Sequence, residues 1–151
     1  MPIRFGAKLV AMSACLLVCF VGSRRVVSAP ALPNPVLYLS GIEPFEQAGK
    51  SLLRYRYDVS NKAAYPAEMF AQAPNLPPCG TNTKASRTWV DVFDQRGKRL
   101  NGFCALGKPA DLGLIWFSLP EDAVPPSWIY IELTDRQTNT KYKSNLAETS
   151  M

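Results

Sequence analysis

The stretch that most constrains this chain runs from Cys79 to Cys104. After Cys79-Gly80 and a polar loop come Arg87-Thr88-Trp89-Val90-Asp91-Val92-Phe93-Asp94, then Gln95-Arg96-Gly97, then a return through Leu100 and Phe103 to Cys104. Runs this rich in β-branched and aromatic residues predict strands over 88–93 and 99–104. Gly97 supplies the positive φ that a tight hairpin turn needs. The sequence therefore predicts a hairpin with a cysteine at either end, positioned to be clasped by a disulfide.

The same period-two signal recurs along the chain. In 52–60, Leu53, Tyr55, Tyr57 and Val59 alternate with Arg54, Arg56 and Asp58, which predicts a half-buried strand. Shorter strands are expected at 36–39, 114–119, 128–134 and 141–146, with turns at 43–49 and 135–139. Asn139 tolerates the left-handed backbone that the second hairpin requires. Between 61 and 86, Pro66, Pro74, Pro77 and Pro78 break any long element, leaving at most a brief strand at 68–70. Residues 32–35 read as a loosely held, Pro-rich lead-in and 147–151 as a disordered tail. No helix is demanded anywhere. About seven short strands at regular spacing make an all-β antiparallel sandwich over 36–146.

The first 31 residues have the layout of a secretory signal. Arg4 and Lys8 precede an apolar run over 9–22, and Ala29-Pro30-Ala31 offers a small-x-small cleavage site. The run is too short to span a bilayer, which takes about 20 apolar residues. Cleavage after Ala31 avoids leaving Pro30 first. Arg24-Arg25 are unusual so close to a cleavage site, and a lipoprotein site at Ala14-Cys15 is a weaker alternative. The signal also explains the charge. Its four cations account for most of the formal +5; without them 13 basic residues face 12 acidic ones. A net of +1 gives no electrostatic reason to expect nucleic acid or an anionic membrane as partner. Removal of Cys15 and Cys19 leaves Cys79 and Cys104 as an even pair in an exported chain, so a structural disulfide is expected.

The order of elements resembles a fibronectin type III or immunoglobulin-like module. The likeness is carried by Leu114-Ile115-Trp116-Phe117-Ser118-Leu119-Pro120, Trp128-Ile129-Tyr130-Ile131-Glu132-Leu133-Thr134-Asp135 and Tyr142-Lys143-Ser144-Asn145, which look like the last three strands of that family. The chain is also similar to small exported bacterial proteins of this build with no assigned role. The resemblance implies a fold rather than an activity. The cysteines depart from the immunoglobulin pattern, since they bracket a hairpin instead of joining two sheets.

The chain contains no histidine, which excludes Ser-His-Asp and Cys-His catalysis, cupredoxin-type copper and the usual zinc hydrolase. No phosphate loop, EF-hand loop or glycosylation acceptor is present, and neither metal nor cofactor is expected. Asp91 and Glu132 form the one carboxylate pair that a shared sheet face would bring together, so a small carboxylate-dependent hydrolase remains a remote alternative. The same two residues read more simply as solvated side chains balanced by nearby cations. If Val90, Val92, Ile129, Ile131 and Leu133 fill the core, alternation places Trp89, Asp91, Phe93, Trp128, Tyr130 and Glu132 on the outer face of one sheet. Soluble monomers rarely leave such a patch open. Either 61–86 or the lead-in folds across it, or it meets a partner. The expected function is a non-enzymatic binding or structural-association module, exported, with a protein or a glycan at the cell envelope as partner. An inhibitor role for the long proline-bearing loop stays open.

Overall fold

The computed structural model describes residues 31–77, 79, 86–104 and 107–150. The expected signal at 1–31 therefore lies outside the described residues, Ala31 excepted. Among the described residues eight strands form two antiparallel sheets, with three short 3-10 turns and no α-helix. The first sheet has the order β1-β2-β5, with β1 at Leu37–Gln47, β2 at Lys50–Val59 and β5 at Ile115–Pro120. The second runs β4-β3-β6-β7, from β4 (Arg99–Cys104) through β3 (Thr88–Asp94) and β6 (Trp128–Asp135) to β7 (Thr140–Lys143). A short β8, Ala147–Glu148, also pairs with β6.

The core lies between the sheets and is assembled by alternation. Tyr55, Tyr57 and Val59 of β2 and Ile115 and Phe117 of β5 meet Val90 and Val92 of β3 and Ile129, Ile131 and Leu133 of β6, all buried. Tyr55 and Phe117 are register partners and stack with centroids 4.9 Å apart. Each such aliphatic or aromatic side chain stabilises the fold by roughly 1.5–3 kcal/mol relative to exposure.

Four expectations need correction. The first strand does not stop at Leu39: it continues through Gln47, and the turn expected over 43–49 shrinks to Ala48-Gly49, both at positive φ (52° and 73°). A two-residue turn with two left-handed residues matches the strand twist. Pro44 is tolerated because β1 is an edge strand, where a missing N–H costs no ladder bond. Second, 68–70 is no strand. Ala67–Phe70 forms a 3-10 turn that buries Met69 and Phe70. Third, the lead-in is held in place: Pro35 is buried, and the Pro33 carbonyl accepts the Tyr65 hydroxyl at 2.7 Å. Fourth, most of the supposed tail is ordered. Ala147 and Thr149 are buried, and the Thr149 hydroxyl donates to the Pro126 carbonyl.

The long connection after β2 is pinned at its far end. The disulfide between Cys79 and Cys104 forms as expected, with Cα atoms 5.7 Å apart. The Arg136 guanidinium donates to the Pro77 and Ser86 carbonyls, each at 2.8 Å, and to the Cys79 Sγ. Arg87 closes the anchor. Its N–H reaches the Ala71 carbonyl, and its guanidinium grips Asp135 through two bonds of 2.8 Å.

Candidate functional site

The register brings the expected residues onto one face of the second sheet. Asp91 sits opposite Glu132, Phe93 opposite Tyr130, and Trp89 opposite Thr134. Their neighbours in sequence, Val90, Val92, Ile129, Ile131 and Leu133, are fully buried, so these side chains point away from the core. Trp128 lies two residues before Tyr130 on the same face.

The face is not uniformly open. At one end the Trp89 ring lies against Gly102, where an added Cβ would come within 2.9 Å of its Cζ2. The Arg99 guanidinium carbon stands 5.5 Å from the Trp89 centroid, and its Nε bonds Asp91 at 2.5 Å. In the middle, Phe93 and Tyr130 stack at 5.2 Å, and Lys143 Nζ sits 4.1 Å above the Tyr130 ring. Cations thus cover part of the aromatic surface and gain from the ring quadrupole. The other end is different. Trp128 is 39% exposed. The described part of 61–86 does not spend its large apolar side chains on this face: Tyr65, Met69 and Phe70 join the core cluster. Residues 78 and 80–85 of that cover lie outside the described residues.

The two carboxylates are each engaged. Asp91 pairs with Arg99, and Glu132 pairs with Lys141 at 2.6 Å. Glu132 in turn raises the Lys141 pKa by hydrogen bonding and charge. Each acid thus has a cation of a neighbouring strand beside it. Among the described residues no group of three or more Cys, Asp or Glu side chains is placed to hold a metal, and no helix is long and apolar enough to cross a membrane.

Three features escaped the sequence. Glu148 faces Trp128 across the β6–β8 pair, and cross-strand partners share a face. It was hidden because the tail carries only two strand residues. A second aromatic cluster sits on the other sheet, where the Arg54 guanidinium lies 3.7 Å from the Phe45 centroid and 4.8 Å from that of Trp116. Arg54 was legible as outward-facing, but Phe45 fell in what looked like a turn. The third is Asp135. It continues the inward alternation of Ile129, Ile131 and Leu133, and is buried with a carboxylate. The Arg87 hydrogen bonds, helped by Thr138 and the Gln137 N–H, hold its pKa down at about 2 against its burial.

No family model, curated protein or solved structure matches this chain.

Proposed function

We propose that this chain is an exported, non-enzymatic β-sandwich of the fibronectin type III or immunoglobulin-like kind, and that it binds or associates through the aromatic face of its larger sheet. The fold reading is supported by strand order. The first, second and fifth strands share one sheet, and the third, sixth and seventh share the other, as in immunoglobulin-like sandwiches. The fourth strand pairs with the third rather than joining the first sheet. Export is supported by the Cys79–Cys104 disulfide, which persists in oxidising compartments.

The observation that carries the binding reading is the contrast along the face. Trp89 is covered by Arg99 and Tyr130 by Lys143, whereas Trp128 stands open beside them. Aromatic side chains of this kind are common anchors of binding hot spots. Trp128→Ala tests the reading. With 39% of the residue exposed, truncation forgoes only part of a full burial term, and the loss should be about 1–2 kcal/mol. That corresponds to a fall of a few degrees in thermal midpoint. A loss of about 3–5 kcal/mol, typical of a fully buried aromatic, would make Trp128 a structural residue and remove the binding face.

A further inference from the structure

Trp128 does not stand alone. It lines a shallow cleft of about 340 Å³ together with Val124, Pro125, Ser127, Glu148 and Ser150. That volume lies at the small end of ligand sites, about 300–1,000 Å³. One wall is a flat aromatic ring. Ser127 and Ser150 bring hydroxyls to the cleft, and Glu148 a carboxylate that has no cation partner among the described residues.

The surroundings decide which ligand chemistry fits. A peptide adding itself as a strand needs a free sheet edge. None is offered at Trp128: its carbonyl accepts the Gln95 N–H at 3.0 Å, its N–H donates to the Gln95 side-chain carbonyl at 3.3 Å, and β8 flanks its other side. An apolar side-chain anchor would favour a wholly apolar hole, but Ser127, Glu148 and Ser150 line this cleft alongside Val124, Pro125 and Trp128. A polyanion would meet the Glu148 carboxylate. A pyranose has the matching amphipathic shape, with a C–H face for the ring and hydroxyl donors for the acid.

We propose that Trp128 and Glu148 form a subsite for a neutral pyranose unit of an oligosaccharide. The sugar stacks its C–H face on the indole and donates a hydroxyl to the Glu148 carboxylate. This rests on the binding-face reading above and names its ligand class.

The test titrates the whole exported protein with cellopentaose and chitopentaose as neutral probes and with an oligogalacturonate as the anionic one, read by calorimetry and tryptophan emission. A saturable response to at least one neutral probe is expected, lost in Trp128→Ala and weakened about tenfold in Glu148→Gln, as removal of one charge-assisted hydrogen bond requires. Glu148→Gln keeps the experiment decisive should Trp128→Ala unfold. Silence with both neutral probes at millimolar concentration overturns the subsite. So does a response undiminished in either variant, or a preference for the oligogalacturonate. A near-native midpoint of Trp128→Ala combined with sugar silence removes the sugar and leaves the binding face. A collapsed midpoint of Trp128→Ala removes the binding-face reading, and the response of the native protein against that of Glu148→Gln then decides the subsite.

Discussion

The Arg87–Asp135 pair joins the start of β3 to the end of β6 and secures the long connection that precedes β3. Consider Arg87→Ala. The Asp135 side chain is 6% exposed, and two bonds of 2.8 Å hold it to the guanidinium. The Arg87 guanidinium holds the Asp135 pKa down at about 2, well below the ordinary 3.8, which is worth about 2 kcal/mol in favour of the folded state. Breaking a buried pair by removing one partner costs about 3–5 kcal/mol, because a desolvated charge is left behind. Here the Thr138 hydroxyl and the Gln137 N–H still bind the carboxylate, so the cost should lie near 3 kcal/mol at neutral pH. The pH dependence follows from the sign of the shift. A carboxyl with a depressed folded pKa contributes stability above its unfolded pKa and loses it as pH falls through the folded one. The advantage of the native protein over Arg87→Ala should therefore be constant above about pH 5 and shrink toward about pH 2. Urea denaturation of both proteins across that range measures it, with Asp135→Asn as a variant whose own profile lacks this titration. A difference below about 1 kcal/mol at neutral pH, or one unchanged down to about pH 2, would refute the account of this pair as a buried, charge-dependent anchor.

Replacing Cys79 and Cys104 together by serine should lower stability by about 3–4 kcal/mol, seen as a reduced denaturant midpoint, since the link closes a loop of 25 residues. Gly102→Ala should drive Arg99 and the Trp89 ring off the strand at a cost of about 1–3 kcal/mol; altered Trp89 emission against an unchanged Trp128 would locate the effect. If the proposed signal is cleaved on export, N-terminal sequencing should read from Leu32, and a start that retains 9–22 would replace the proposed signal with an anchor.

Much of the larger sheet was legible from residues alone, for reasons that are local. Alternation at 88–94 and 128–135 depends only on the strand repeat, so Val90, Val92, Ile129, Ile131 and Leu133 could be assigned to the core and Trp89, Phe93, Trp128 and Tyr130 to the opposite face. Gly97 and Asn139 could be placed in turns because a positive φ is a property of a single residue. The cysteines could be paired because only two remained outside the expected signal. The smaller sheet was harder. Pro44 punctuated β1 in sequence, and only its position at an edge makes it harmless.

What tertiary structure alone decided is how much of the aromatic face remains open. Arg99 reaches Trp89 and Asp91 from β4, Lys143 reaches Tyr130 from β7, and Glu148 is brought beside Trp128 by a two-residue strand with almost no signal of its own. Alternation assigns each residue a side of its own strand, but not the neighbour it will meet there. That depends on the register between strands distant in sequence, which the packing of the whole core sets, and a shift of one residue would reverse every side chain.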